Sequence, residues 1–155
     1  MTVVSDTSSI IALQRIRSLD LLSKLYGNEI LIPPGVADEL EDEGRMRVAD
    51  HSFLRIVTNS SVLEMPPKLH RGEREAIALA ASHPGCLLLM HERDGRQLAA
   101  TMGIVVIGTG GVLVDAKRAG LIPSVSPVLE ALIASGFRIA EPTRAALVRL
   151  AGEPE

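Results

Sequence analysis

Short apolar runs alternate with helical patterns along almost the whole chain, and this alternation constrains the fold more than any other feature. Strand-like runs are predicted at residues 3–6, 29–32, 53–57, 87–90 and 104–107, with a candidate edge strand at 137–140. The first helical stretch breaks into two helices near Arg17 and Ser18. Regular alternation of this kind predicts an α/β layered sheet of mostly parallel strands, open at its edges.

Length and hydropathy favour a single domain over residues 1–155. Hydrophobic residues make up 46% of the chain and the mean hydropathy is +0.25. A parallel sheet covered on both faces, or a buried subunit interface, would account for this excess. Because two-fold pairing is the commonest oligomer, we expect a homodimer.

The sequence also predicts a location for the protein. No apolar run approaches the roughly 18 residues of a membrane span, and the N-terminus lacks the charged start of a signal peptide. The single cysteine, Cys86, is expected to be a buried strand residue rather than half of a disulfide. These features predict a cytoplasmic protein with no membrane partner.

Charge and aromatic content limit how the chain could bind nucleic acid. A net charge of −3 argues against a protein that coats nucleic acid non-specifically. One tyrosine, two phenylalanines and no tryptophan argue against a base-stacking platform. Backbone and electrostatic contacts would have to hold any nucleic acid, although scattered arginines are also typical of a solvated face. Four arginines flank the candidate acids described below: Arg71, Arg74, Arg93 and Arg96.

Asp6 is the residue that most strongly suggests chemistry. It ends the first strand, which should be central in the sheet, and open α/β sheets bind ligands at the carboxyl ends of such strands. The alternative is that Asp6, with Thr7 and Ser8, only caps the next helix. Because acids recur after later elements, we favour a cluster of carboxylates around a hard divalent cation.

The other acids each have a structural alternative. Glu39 lies at the edge of a buried helical stripe, where a salt bridge would also satisfy it. Glu73 and Glu75 lie in the first turn of a helix, where the helix dipole favours acids, and the sequence does not decide which faces inward. Glu92 and Asp94 follow the strand that ends at residue 90, and Asp94 would also suit a helix cap.

Two other motifs are weaker. The glycine-rich segment 108–111 lies between a strand and a helix, but position 113 is Leu, so the dinucleotide-binding fingerprint is incomplete. A tight turn with backbone N–H groups available to a phosphate is the expected structure. The histidines show no zinc-like spacing with Cys86, which argues against structural zinc.

Together these segments resemble a PIN-domain protein, in the branch related to VapC-type toxins of toxin–antitoxin pairs. The resemblance extends from about residue 3 to residue 140, and its specificity comes from the order and spacing of several short motifs. The matching stretches are VVSDTSS (3–9), IPPGVADEL (32–40), GEREAIALA (72–80), residues 87–99, and IGTGG (107–111) through residues 116–117 to 120–122.

The resemblance implies a central parallel sheet with helices on both faces, and Mg²⁺- or Mn²⁺-dependent ribonuclease activity. Asp6, Glu39 and Glu75 occupy the family's acidic positions. The fourth acid is expected directly after residue 90, where this chain has His91 and then Glu92. The resemblance therefore makes Asp6, Glu39, Glu75 and Glu92 the candidate catalytic and metal-binding residues.

The partners implied are an RNA substrate, a cognate antitoxin and a second copy of the chain. We take Thr7, Ser8, Arg71 and Arg93 as candidate nucleic-acid-binding residues, because they flank the acids.

The first functional interpretation is a toxin-like endoribonuclease that cleaves single-stranded RNA. The alternative is a PIN-fold module that binds RNA or a partner protein and has lost catalysis through the change at His91. A phosphoacceptor domain fits poorly because Asp50 follows no strand, and an Asp-x-Asp phosphatase is excluded because Ser8 occupies the second position.

Overall fold

The computed structural model describes residues 1–42, 46–59 and 63–155. These residues form five strands in one sheet of order β3-β2-β1-β4-β5, and every neighbouring pair is parallel. Val4 of the central strand is in register with Leu31 on one side and Leu88 on the other. The strands are β1 (Val3–Ser5), β2 (Ile30–Ile32), β3 (Leu54–Ile56), β4 (Leu87–Leu89) and β5 (Val105–Ile107).

Eight α-helices cover both faces of the sheet within the described residues; the first five connect the strands and the last three follow β5. The helices are α1 (Thr7–Arg15), α2 (Asp20–Tyr26), α3 (Pro34–Asp42), α4 (Arg71–Ala81), α5 (Arg93–Thr101), α6 (Thr109–Arg118), α7 (Ser126–Ala134) and α8 (Glu141–Leu150). The predicted break between the first two helices is confirmed: Arg17 adopts the left-handed conformation with φ 57°, which a continuous helix does not allow. Pro34 opens α3, where its missing N–H costs no hydrogen bond.

The core lies where the sheet meets its two helical layers. Every residue of β1 and β2 is buried, and Leu88 and Leu89 of β4 are fully covered. Cys86 is buried at the start of β4 as a free thiol. The predicted fold class is therefore confirmed: a three-layer, open α/β sheet of PIN-like type whose strands are all parallel.

The strand order reverses direction between β1 and β4. From β1 the chain adds β2 and β3 on one side, and then crosses to add β4 and β5 on the other. The crevice outside the carboxyl ends of β1 and β4 is thus a topological switch point, the place where open α/β sheets bind ligands.

Some local predictions differ from the structure. The candidate edge strand at 137–140 is wrong: the N–H of Phe137 bonds to Leu132 O in the turn that ends α7, and Ala140 is the N-cap of α8. These backbone groups serve helix ends and form no ladder with β5. The sequence pattern of residues 45–52, before β3, favours neither helix nor strand, and the structure has a 3₁₀ turn there at Val48–Asp50.

The sequence also predicts an acidic end of the third helix at residues 41–43, before Gly44, and a loop over residues 59–69. Residues 43–45 and 60–62 lie outside the described residues. Among the helices that are described, none is long and apolar enough to cross a membrane.

Candidate active site

Asp6 lies at the switch point, one residue beyond β1, and only 1% of its surface is exposed. Its Oδ1 accepts a hydrogen bond from the N–H of Ser9 at 2.9 Å, which caps α1. Its Oδ2 accepts one from the N–H of His91 at 3.0 Å, across the crevice at the end of β4. The Asp6 carboxylate therefore caps α1 and also lies in the crevice, so the two alternatives suggested by the sequence are compatible.

Burial raises the pKa of Asp6 above its ordinary value, and the hydrogen bonds from Ser9 and His91 only partly oppose this. The direction of the shift shows that the folded chain disfavours a negative charge at this position. A cation bound beside the carboxylate would reverse that preference, because an opposite charge stabilises the ionised form.

Glu39 reaches the same region from α3. Its Oε1 accepts a hydrogen bond from Thr7 Oγ1 at 2.7 Å, which joins the start of α1 to α3. The close approach requires Gly72 on α4, because a Cβ added there would overlap Glu39 Oε1. The glycine before Glu73 therefore has a packing reason: it makes room for the Glu39 carboxylate.

Glu73 is the acid of α4 that lies in this crevice. Its Oε1 accepts a hydrogen bond from the N–H of His70 at 3.2 Å. Its Oε2 is buried and has no hydrogen-bond partner in the described part of the chain. Burial raises the pKa of Glu73, and the negative charges of Glu92 and Asp6 raise it further. A buried carboxylate oxygen without a partner, close to other acids, has the properties expected of a cation ligand.

Glu75 occupies a different position, in contact with α3. Its Oε1 accepts a hydrogen bond from the N–H of Gly35 at 2.8 Å, and its Oε2 pairs with Arg71 Nε at 2.7 Å. Glu75 therefore caps the first turn of α3, and both of its oxygens are engaged. Glu75 thus contacts α3 and Arg71, whereas Glu73 borders the cavity together with Glu39. The expected convergence of Glu75 with Asp6 and Glu39 stays a prediction.

A cavity of about 220 Å³ opens between α1, α3 and α4. Larger concavities of about 540 and 390 Å³ lie around Glu29 and Arg55, away from Asp6, Glu39 and Glu73. The smaller cavity is the relevant one because Glu39 and Glu73 border it next to the switch point. Its lining residues are Thr7, Ser8, Ile11, Glu39, His70 and Glu73.

Glu92 is exposed and forms the N-cap of α5, with its Oε1 accepting from the N–H of Asp94 at 3.3 Å. The predicted cap, Asp94, instead pairs with Lys68 at 3.4 Å. The ring of His91 packs on Phe137, with 4.2 Å between ring centroids. Burial lowers the pKa of His91, although the negative charges of Asp6 and Glu92 oppose this.

The candidate nucleic-acid-binding residues differ in how far they are already engaged. Arg71 forms ion pairs with Glu75 at 2.7 Å and with Asp38 at 2.8 Å, so its charge is largely neutralised. Thr7 is bonded to Glu39, whereas Ser8 is exposed at the cavity mouth. Arg93 is exposed at the start of α5.

The glycine-rich segment after β5 serves helix packing. Helix α6 begins at Thr109 with Gly108 as its N-cap. A Cβ on Gly110 would overlap Leu147 Cδ1 of α8, and one on Gly111 would lie 2.6 Å from Ile107 Cγ1. Two of the glycines therefore allow close contact with neighbouring side chains, which agrees with the incomplete dinucleotide motif.

The acids of the crevice offer few ligands to a divalent cation. In the described residues no three His, Cys, Asp or Glu side chains are close enough together to hold a metal ion as they stand. Mg²⁺ needs less than that, because it keeps several waters and is often bound by one or two carboxylates plus substrate phosphates. The partnerless Glu73 Oε2 beside the buried Asp6 fits such a sparse oxygen site.

Comparison with known proteins is consistent with this geometry. The chain matches the model of the family DUF3368, a PIN domain, over residues 2–153. A PilT N-terminus domain protein, SSO1118, from the hyperthermophilic archaeon Sulfolobus solfataricus P2 has a similar structure, with a TM-score of 0.56 and 17% sequence identity. The similarity covers 91% of this chain and 98% of that one, and at this identity it supports the fold alone.

A search of curated proteins found no significant match. Because the family match spans almost the whole sequence, the chain belongs to the PIN-domain family, whose members are generally nucleases that use divalent metal ions.

Proposed function

We propose that this PIN domain is a toxin-like endoribonuclease that cleaves single-stranded RNA with Mg²⁺ or Mn²⁺. The observation that carries the proposal is the placement of two acids at the switch point: Asp6 is buried at the carboxyl end of β1, and Glu73 borders the neighbouring cavity together with Glu39. Burial raises the pKa of both Asp6 and Glu73. One of them, Glu73, has a buried oxygen for which the described residues offer no hydrogen-bond donor. Such an arrangement costs stability in the free protein, and a bound cation would offset that cost.

Asp6 and Glu73 are the proposed central metal ligands, with Glu39 and Glu92 at the border of the site. Glu73 takes the place that the sequence resemblance gave to Glu75. When bound, the cation would activate a water molecule and stabilise charge at the scissile phosphate during in-line displacement.

The chain's own contribution is orientation. Hydrogen bonds from the N–H groups of Ser9 and His91 fix both oxygens of Asp6. The hydroxyl of Thr7 fixes one oxygen of Glu39, which leaves the other available to a ligand or to a bound water. Carboxylates held in this way lose little conformational freedom when a cation or substrate binds, which is the benefit of a preorganised site.

A cognate antitoxin and a homodimer belong to the same proposal. Both are supported by the resemblance to toxin ribonucleases, and the homodimer also by the apolar composition. Light scattering at micromolar concentration tests the dimer directly, and a monomer mass would contradict it.

A cleavage assay on a labelled single-stranded RNA, with Mg²⁺ and Mn²⁺ titrated separately, tests the nuclease. We expect Asp6→Asn to lower the rate by more than about 100-fold, since even outer-shell partners of a metal contribute 10- to 100-fold. Asp50→Asn is the matched control, because Asp50 is exposed in the 3₁₀ turn and does not border the acidic cavity. Cleavage that survives in the Asp6 variant would refute the proposal.

A second function follows from one specific observation. His91 stands where the family resemblance expects a fourth acid, and its ring packs on Phe137. A PIN-fold module that binds RNA or a partner protein without cleaving it is therefore the competing proposal. Tight RNA binding with no cleavage under either metal would favour it.

A further inference from the structure

Two neighbouring arginines on α5 have no side-chain partner. Neither Arg93 nor Arg96 forms an ion pair or a side-chain hydrogen bond within residues 1–42, 46–59 and 63–155. Both are exposed. We infer that the face of α5 next to β5 binds the phosphate backbone of single-stranded RNA and leads it to the acidic crevice. This inference rests on the proposed function, because it names the path by which the proposed substrate reaches the same site.

The shape of this face suits an extended strand. A shallow concavity of about 420 Å³ lies between α5 and β5 and is lined by Arg93, Arg96, Gln97, Ala100 and Val106. Residues three and four apart lie on the same side of a helix, with about 5–6 Å between their Cβ atoms. Arg93, Arg96, Gln97 and Ala100 therefore form the helical edge of the concavity, and Val106 of β5 forms the other.

The concavity begins next to residues of the acidic crevice, although the two share no lining residue. Helix α5 begins directly after Glu92, its N-cap, so Arg93 is the first residue beyond the site. Arg96 lies over the carboxyl ends of β4 and β5, since its Nη1 would be 3.3 Å from a Cβ placed on Gly108. The charge of Arg96 also acts on His91, the residue bonded to Asp6. A phosphate bound by Arg96 would thus be close to a neighbouring phosphate in the crevice.

The opposite flank of the crevice suits a polyanion less well. On α4 the charge of Arg71 is neutralised by Asp38 and Glu75, whereas Arg74 is exposed and forms no ion pair within the described residues. Glu39 and Glu73 add negative charge on that side. On α5, by contrast, the one acid is Asp94, and Lys68 pairs with it. Within the described residues, the α5 side offers two unpaired guanidinium groups, and the α3–α4 side offers Arg74 beside the carboxylates of Glu39 and Glu73. This difference in net charge gives the strand a preferred direction of approach.

The chemistry favours phosphate over base recognition. A guanidinium group presents a planar fork of donors that matches two phosphate oxygens, and it carries its charge at all physiological pH values. The concavity has no aromatic lining on which a base could stack. We therefore assign it to the sugar–phosphate backbone, with little dependence on base sequence.

Binding of a fluorescein-labelled single-stranded oligouridylate, measured by anisotropy in EDTA over a range of salt concentrations, tests the inference without requiring cleavage. We expect Arg93→Ala and Arg96→Ala each to weaken binding by about tenfold at low salt, the lower end for hydrogen bonds to charged groups. Each should also reduce the slope of log K against log salt by about 0.7, the value for one phosphate contact on a single strand. The ratio of wild-type to variant affinity should then narrow by about 2.6-fold when salt rises fourfold.

Two controls separate charge from structure. Arg96→Lys keeps the charge and should keep the salt slope. Arg149→Ala removes the same charge from α8, where Arg149 pairs with Glu155, and should leave binding unchanged. Arginine-to-alanine variants that bind with wild-type affinity and slope would overturn the inference, as would equal losses in the Arg149 control.

The outcomes also separate this inference from the proposed function. If Asp6→Asn abolishes cleavage while both α5 variants bind RNA normally, the nuclease stands and the α5 path is wrong. If RNA binding depends on both arginines while no cleavage occurs under any metal, the path stands and the nuclease fails. If an acidic peptide, and not RNA, binds through Arg93 and Arg96, this face is a protein interface and the inference is refuted.

Discussion

Replacing Glu73 with Gln should make the metal-free protein more stable and its metal affinity weaker. Glu73 Oε2 is buried without a hydrogen-bond partner among the described residues, and the charges of Glu92 and Asp6 act against its ionisation. Gln removes the charge and keeps an oxygen that can accept from the N–H of His70. A metal ligand should show this combination of higher stability without metal and weaker metal binding, whereas replacing a structural acid should lower the stability and leave metal binding unchanged.

Gln still places a polar amide at the position of Glu73 Oε2, so the expected gain comes from removing the charge and stays within the cost of an unsatisfied buried polar group, about 1–3 kcal/mol. Glu73 is only half-buried, so solvent screening favours the lower end, and we expect a gain of about 1 kcal/mol. For a domain of this size that corresponds to a rise in Tm of about 2–4 °C. With Mn²⁺ at 100 times its Kd, the wild type should gain about 2.7 kcal/mol from binding. A variant with about 100-fold weaker affinity would gain only about 0.4 kcal/mol at the same Mn²⁺ concentration.

Thermal unfolding in EDTA and again with Mn²⁺, followed by circular dichroism, measures both effects on one sample. Glu75→Gln is the matched control: it lies two residues further along α4 and contacts Gly35 and Arg71. We expect that variant to lose a little stability in EDTA and to keep the full Mn²⁺ shift. This comparison also decides between the two glutamates that the sequence left open.

The pH dependence provides an independent check. A carboxylate whose pKa is raised on folding lowers stability at high pH, and this loss begins as the pH rises through its ordinary value of 4.5. Wild-type protein in EDTA should therefore lose some stability above that pH, and the Gln variant should lose less. A Glu73→Gln protein that is less stable than wild type in EDTA, yet responds fully to Mn²⁺, would refute the assignment.

Three further predictions concern other parts of the molecule. Gly72→Ala should displace Glu39 and weaken Mn²⁺ binding by about tenfold. The Tm should change little, because only the end of a flexible side chain has to move. Calorimetry measures both quantities, and an unchanged Mn²⁺ affinity would show that Glu39 does not contribute to the metal site. Glu153 accepts hydrogen bonds from the N–H groups of Val125 and Ser126, which lower its pKa to about 2. It therefore stabilises the fold above pH 4.5 and loses that contribution as the pH falls towards 2. The stability of Glu153→Gln should lack this loss between pH 4.5 and 2, and an acid-unfolding profile equal to that of the wild type would contradict the prediction. His91→Asp should strengthen Mg²⁺ binding by about 1–2 kcal/mol if the new carboxylate reaches the cation. Calorimetry measures this affinity, and no change would mean that the side chain at position 91 points away from the metal.

The sequence by itself determined the order of the elements and the place of the principal acid. Periodicity and the proline and glycine punctuation are local properties, so they predicted the five strands and the break after α1 without knowledge of the tertiary structure. Asp6 was identifiable because the carboxyl end of a central parallel strand is a fixed position in any open α/β sheet. The one strand predicted in error, at 137–140, had a strand-like pattern, but its backbone groups are used by the ends of α7 and α8.

Only the tertiary structure decided which glutamate of α4 enters the crevice. Residues two apart point in different directions on a helix, so Glu73 and Glu75 cannot both face the site, and either is compatible with the local pattern. The rotation of α4 is fixed by contacts with α3, where Glu75 binds the N–H of Gly35 and Gly72 makes room for Glu39. The same holds for Arg71 and Arg96, which both look like solvated arginines in the sequence. Among the residues that the structure describes, Asp38 and Glu75 neutralise Arg71, and Arg96 has no ion-pair partner. Interactions between residues far apart in the chain have no signature in local sequence, and for that reason the chemistry of the site depends on the fold.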